Sequence, residues 1–269
     1  MEYIRRLIDD QLDRKSESFG AIHIVGPKGS GKTRTAKERC KTVIEFQDEE
    51  KRAGYLAVAQ TSPNLFLNNE KPILFDEWQD APKIWGTIRK ACDDAPEDTG
   101  RYYLTGSTSQ KVNTPHTGTG RITELQLYPL TLWETKESNG TVSLTQLFEN
   151  PEYNSDGKLS TLRLEDLFFA VCRGGWHRCR SLQSKEAKLE IAKDYYRQIC
   201  NKDVQALDGT NRNPQWVRTL LWSYARNMAT RAKKKKIYAD VQANHSVSDI
   251  TLASYVEALE QLYVNKDID

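Results

Sequence analysis

The sequence predicts an α/β protein whose parallel sheet is covered by helices. Three observations predict it. An apolar run at residues 19–25 feeds directly into a glycine-rich turn at residues 26–31. A second apolar run, at residues 72–75, ends on two carboxylates, Asp76 and Glu77. Segments with helical periodicity alternate with these short runs, as they do where crossover helices join parallel strands.

The elements follow in order. Residues 1–18 read as a helix, with Tyr3, Ile4, Leu7, Ile8 and Leu12 at helical spacing. Residues 19–25, Phe-Gly-Ala-Ile-His-Ile-Val, read as a buried strand. Residues 33–44 read as a helix and residues 55–58 as a second strand. Residues 72–75 form a third strand, residues 82–92 a helix and residues 101–105 a fourth strand. Residues 124–127 alternate polar and apolar as a last strand. The character then changes. Residues 138–157 are polar and loop-rich, and residues 164–200 are helical with a break at Gly174 and Gly175. A further helical block carries Trp216, Leu220, Leu221 and Tyr224 after an Asn213–Pro214 start. Residues 248–262 place Leu252, Tyr255, Val256, Leu259 and Leu262 on one face of a final helix. The expected organisation is a core at 1–135, a helical lid or linker at 136–207, and a small domain at 208–269.

Composition narrows the function classes little. Of 269 residues, 38% are hydrophobic and 28% charged, which is ordinary for a globular chain. Lysines and arginines number 39 against 37 acids, so a polyanionic partner would have to be held by local clustering. The five cysteines form no CxxC pair. Cys172, His177 and Cys179 lie close in sequence, but a structural zinc needs four ligands and no second pair is evident. Reduced thiols fit a cytoplasmic location. The amino terminus lacks a secretory apolar core, and no run approaches the roughly 18–20 apolar residues of a membrane helix.

The strongest chemical signal is Gly26-Pro27-Lys28-Gly29-Ser30-Gly31-Lys32-Thr33, a complete G-x-x-x-x-G-K-[ST] phosphate loop. Its glycines let the backbone wrap so that N–H groups point at a polyphosphate. The following helix adds its positive end. Lys32 would reach the β and γ phosphates, and the Thr33 hydroxyl would take one magnesium position. Asp76 and Glu77 end an apolar strand, where open parallel sheets gather ligands. Asp76 would hold magnesium partly through water, and Glu77 would orient or deprotonate a water. An acidic helix start would account for the same two residues. Thr105 and Ser107 end the fourth strand, where a hydroxyl can serve either the site or its local backbone. Arg121 follows Thr117-Gly118-Thr119-Gly120. It is read either as a guanidinium for charge developing on a transferred phosphoryl group, in cis or from a neighbour, or as a surface ion-pair partner.

The segment Phe75-Asp76-Glu77-Trp78-Gln79-Asp80-Ala81-Pro82 resembles the Walker B segment of a prokaryotic AAA+ ATPase family. Tyr103-Leu104-Thr105-Gly106-Ser107, His116-Thr117-Gly118-Thr119-Gly120-Arg121 and Cys172-Arg173-Gly174-Gly175-Trp176 resemble it too. The resemblance implies ATP as nucleotide and a five-stranded sheet of order 5-1-4-3-2. It favours Ser107, then Thr105, as the polar strand-end residue that helps position water. It also implies a winged helix after residues 208–214. Arg226, Arg231, Lys233, Lys234, Lys235 and Lys236 would then touch DNA phosphates. A solvated lysine loop or a protein-binding winged helix fits the same residues. The last helix carries Asp249, Glu257 and Glu260, which phosphate would repel.

Longer members of that family continue into a nuclease-like domain, whereas this chain stops near Tyr263 and Val264. Two further departures are His177, where proline is usual, and Arg34, where a small residue is usual and where the guanidinium would add charge near the phosphates. The expected activity is magnesium-dependent ATP hydrolysis, in an oligomer if Arg121 acts in trans. The alternatives are a nucleotide-gated DNA-binding switch and a P-loop kinase for a small acceptor.

Overall fold

Five parallel strands form one sheet in the order β2–β3–β4–β1–β5. They are β1 (Ala21–Val25), β2 (Thr42–Glu45), β3 (Ile73–Asp76), β4 (Tyr102–Thr105) and β5 (Ile122–Gln126). The computed structural model describes residues 2–106 and 117–266. The expected strand order is found, and β1 lies between β4 and β5, buried at all but His23, as a strand covered on both faces requires.

Side chains alternate across the sheet. On β3, Ile73 and Phe75 enter a core with Phe46, Phe66, Trp78, Ile84, Trp85 and Ile88. Leu74 points the other way, to Leu12, Ile22, Ile24, Ala36, Tyr103 and Leu127. The first core is covered by α3 (Arg52–Thr61), a 3₁₀ turn (Pro63–Asn68) and α4 (Lys83–Asp94). The second is covered by α1 (Asp9–Ser18) and α2 (Lys32–Lys37).

Three expectations are corrected. Residues 55–58 are not a strand but the middle of α3. Tyr55, Leu56, Val58 and Ala59 recur at helical spacing and pack toward Phe46 and Phe66. The helix expected over 33–44 stops at Lys37, and the missing strand is Thr42–Glu45. Its β-branched Thr42, Val43 and Ile44 pair with Ile73, Leu74 and Phe75 at the sheet edge. Only Asp9–Ser18 of the first 18 residues is α-helical. Among residues 2–8 the chain is irregular, and Arg6 and Leu7 bond instead to the loop after β5.

Beyond the sheet come α5 (Leu144–Glu149), α6 (Leu164–Arg173), a 3₁₀ turn (His177–Ser181) and α7 (Lys185–Gln198). A π-helical turn (Ile199–Asp203) runs into α8 (Val204–Ala206). Then come α9 (Pro214–Arg226), α10 (Lys234–Gln242) and α11 (Asp249–Gln261). Asn213 caps α9 and Ser248 caps α11, each side chain accepting a backbone N–H. A third core joins Ile199, Cys200, Val204 and Leu207 to Val217, Leu220, Val241, Leu252 and Leu259. Among the described residues after 208 there are helices and no strand, so the β wing of a winged helix is not seen there. No helix among the described residues is long and apolar enough to cross a membrane.

Candidate nucleotide-binding site

The register of the sheet aligns the strand ends that matter. Asp76 on β3 faces Thr105 on β4, Thr105 pairs with Ile24 of β1, and the glycine turn leaves β1 one residue later. The turn then needs backbone that only glycine adopts cheaply: Gly26, Gly29 and Gly31 have φ of 140°, 72° and 100°. A Cβ on Gly26 would lie 2.1 Å from the Leu127 carbonyl oxygen, so glycine there is required for space as well.

Lys32 begins α2 and folds back over its own loop, donating to the carbonyls of Gly26 (2.9 Å) and Pro27 (3.0 Å). Burial lowers its pKa to about 8, against the opposing pull of Glu77 and Asp76. Thr33 Oγ1 donates to Asp76 Oδ1 at 2.7 Å, and Thr105 Oγ1 donates to the same oxygen. Glu77 follows in the left-handed region at φ 53°, a conformation costly for a residue with a Cβ and characteristic of functional turns. Lys28, Gly29, Gly31, Lys32, Thr33 and Glu77 all line one cavity of about 630 Å³, which Arg34 and Gln47 border. Arg34 is otherwise engaged with Glu38 at 2.5 Å.

These residues fit a magnesium–polyphosphate group. The buried Ser30 hydroxyl has no hydrogen-bond partner among the described residues, and Lys28, Gly29 and Gly31 of the loop line the same cavity as Lys32. No three His, Cys, Asp or Glu side chains cluster as a metal cage among the described residues. Thr33 and Asp76, hydrogen-bonded to each other, would supply two oxygen donors to such an ion, with phosphate and water to complete its shell. The zinc reading near Cys179 finds no support. Its thiol is buried beside the carbonyls of Arg173 and Lys188, while Cys172 is exposed.

Several site residues escaped sequence reasoning. Arg6, 3% exposed, donates to the Ser30 carbonyl (2.9 Å), the Tyr128 carbonyl (2.7 Å) and Glu134 (2.8 Å). Burial pushes the Glu134 carboxyl up, but Arg6 and the amides of Thr131 and Leu7 outweigh it and hold the pKa below its ordinary value. Gly175 docks on the same loop, its carbonyl accepting from Leu130 N–H at 2.8 Å, and a Cβ there would meet the Leu130 oxygen at 2.2 Å. This brings His177 against Gly31 and within 3.4 Å of Arg6, and His177 and Arg180 into the cavity wall. Burial, Arg6 and Arg180 lower the His177 pKa. The outer limb of the loop is gripped as well. Tyr195 donates to the Lys28 carbonyl (3.2 Å), Lys28 pairs with Asp203 (2.7 Å), and Trp176 stacks on Tyr195 beside Gly29. Gly175 and Trp176 stand in the Cys172–Trp176 segment already singled out in the sequence, but no local motif announces Arg6, Tyr195 or Asp203, which meet Glu134 and Lys28 across 128, 167 and 175 residues of sequence.

Arg121 is not brought to this cavity. It precedes β5, next to Ala21 at the amino end of β1, and its carbonyl accepts from Ala21 N–H at 3.2 Å. The phosphate loop leaves the opposite end of that five-residue strand, about 16 Å away. Arg121 instead pairs with Asp93 at 2.6 Å. Ser107 lies outside the described residues. Of the basic residues proposed for DNA, Lys234 pairs with Glu260 (3.5 Å), Lys236 with Asp240 (2.6 Å), and Arg226 stacks on Trp222.

Residues 18–136 match the family model described as an AAA domain, and residues 164–269 match one described as a domain of unknown function, DUF8612. No curated protein matches the chain. Among solved structures, AMPPCP-bound DnaA from Aquifex aeolicus is 14% identical, with 94% of this chain and 86% of that chain covered and a TM-score of 0.32. A DNA replication initiation factor is 12% identical over the same shares, with a TM-score of 0.33. At these scores the structural likeness is too slight to bear on function. The sequence match and the phosphate loop together support a nucleotide-binding AAA domain over residues 18–136.

Proposed function

We propose that the chain binds ATP with magnesium and hydrolyses it. The observation that carries this is the convergence of Lys32 and Thr33 with Asp76 and Glu77, from two segments more than forty residues apart, on one end of the sheet. Lys32 releases its loop carbonyls to meet the phosphates. Thr33 and Asp76 would hold magnesium, which when bound would neutralise phosphate charge. Thr105 keeps the Asp76 carboxylate oriented. Glu77 orients the attacking water and takes its proton, an effect on the order of 10²–10⁴ in rate. Arg121 serves a neighbouring chain, because its own phosphate loop lies at the opposite end of β1. The test is phosphate release by wild type, Lys32→Ala and Glu77→Gln. Turnover is expected to vanish in Lys32→Ala and to fall on the order of 10²–10⁴ in Glu77→Gln, with ATP still bound by Glu77→Gln. Unchanged turnover in Glu77→Gln would remove the assignment of the base.

A second reading has its own observation. The grip of Tyr195 and Asp203 on Lys28 ties the phosphate loop to the helices that build the third core. In this reading the nucleotide acts as a switch that repositions α9–α11 for a partner. Hydrogen exchange across 199–262 should then change on adding AMPPCP, and Asp203→Asn should blunt the change. Identical exchange with and without nucleotide would rule it out.

A further inference from the structure

We propose that Gln79 is a positioning residue for hydrolysis, holding the Glu77 carboxylate through its side-chain amide while its carbonyl end is wedged against the end of β4. This rests on the reading of Glu77 as the residue that orients water.

Glu77 and Gln79 share the tight turn that leaves β3, with Trp78–Asp80 forming a single 3₁₀ turn. The turn is pinned on both sides of Gln79. The Trp78 indole N–H donates to His23 Nε2 on β1 at 3.0 Å, and Asp80 accepts from Arg52 at 2.8 Å. Between these anchors Gln79 Nε2 donates to Glu77 Oε2. Its other end, Oε1, is buried with no hydrogen-bond partner among the described residues. That oxygen lies against Gly106, where a Cβ would approach it to 2.6 Å. A buried amide oxygen without a partner is costly, so its position must be enforced by the rest of the turn.

A glutamate has three rotatable bonds, and a carboxylate that must aim at one water loses effect when it wanders. A misplacement of about 1 Å can cost on the order of 10² in rate. The Gln79 amide removes that freedom by committing one carboxylate oxygen. Glu77 lines the cavity whereas Gln79 does not, so Gln79 acts on turnover and not on nucleotide affinity. The glycine at 106 is what allows the amide to lie against the strand end.

The test is Gln79→Met, which keeps the wedge beside Gly106 but lacks the amide, measured alone and with Glu77→Gln. The readouts are steady-state ATP hydrolysis, single-turnover hydrolysis and AMPPCP affinity. We expect kcat to fall about 10–100-fold in Gln79→Met, with KM and AMPPCP affinity within about threefold of wild type. In the Glu77→Gln background the same change should alter the single-turnover rate less than about twofold, because the group being positioned is gone. A wild-type kcat in Gln79→Met overturns the proposal. So does an equal loss with and without Glu77, or a collapse of AMPPCP affinity, either of which would make the residue structural. Wild-type turnover in Glu77→Gln would instead remove the underlying reading of Glu77, and Gln79 would have no base to position.

Discussion

Thr33 Oγ1 lies 2.7 Å from Asp76 Oδ1, so the two side chains assigned to magnesium are hydrogen-bonded to each other across 43 residues of sequence. The hydroxyl is thereby oriented before any ion arrives, with Thr105 donating to the same carboxylate oxygen from β4. Replacing Thr33 by Ala should lower the affinity for magnesium–AMPPCP by about 10–100-fold, and Thr105→Val by less, since it acts through Asp76. Titration with and without magnesium checks this: the metal-free affinity should be nearly unchanged in both variants.

Arg121 is separated from its own phosphate loop by the length of β1, so its variant should behave as a defect in a neighbour's site. Arg121→Ala should leave AMPPCP affinity within about twofold and reduce turnover on the order of 10³. Wild-type turnover per chain should rise with protein concentration. Mixing Arg121→Ala with Lys32→Ala should restore activity that neither variant has alone. No complementation, with turnover linear in concentration, would leave Arg121 as the ion-pair partner of Asp93.

Arg6 and Glu134 form a buried ion pair whose side chains are 2% and 3% exposed. Arg6→Met leaves a carboxylate buried without its cation, a loss of about 3–5 kcal/mol. It also removes the donor to the Ser30 carbonyl, so ATP affinity should fall as well. The double variant Arg6→Met with Glu134→Leu should recover much of the stability but not the affinity. Urea unfolding and AMPPCP binding on the same samples separate the two effects.

His23 supplies a pH dependence. Trp78 can only donate to it, so Nε2 must carry a lone pair and the imidazole is neutral. Burial, reinforced by Lys32, lowers its pKa from 6.5 to about 4. Between those values the unfolded chain binds more protons than the folded one. Stability from this residue is therefore full above about pH 6.5 and is lost by about 3 kcal/mol as pH falls to about 4. His23→Gln keeps an acceptor for the indole and should flatten this part of the pH–stability curve. An unchanged slope would assign it to carboxylates instead.

Local chemistry made the centre of this protein legible. The phosphate loop needs glycines at fixed spacing, and an apolar strand ending in two acids is short enough to recognise. So Lys32, Thr33, Asp76 and Glu77 stand where the residues themselves place them. The same holds for the capped helices at Asn213 and Ser248. Residues 42–45 and 55–58 were misassigned for a physical reason. An edge strand of four residues gains its identity from pairing with Ile73–Asp76, and Tyr55–Ala59 takes its helical form because Phe46 and Phe66 cover one face. Tertiary structure alone decided which distant residues close on the loop. Arg6, Glu134, His177, Tyr195 and Asp203 carry no motif, and their partners lie up to 175 residues away. It also decided that Arg121 stands at the wrong end of the sheet for its own nucleotide, because strand direction, and not proximity in sequence to any motif, determines the end of the sheet at which a residue arrives.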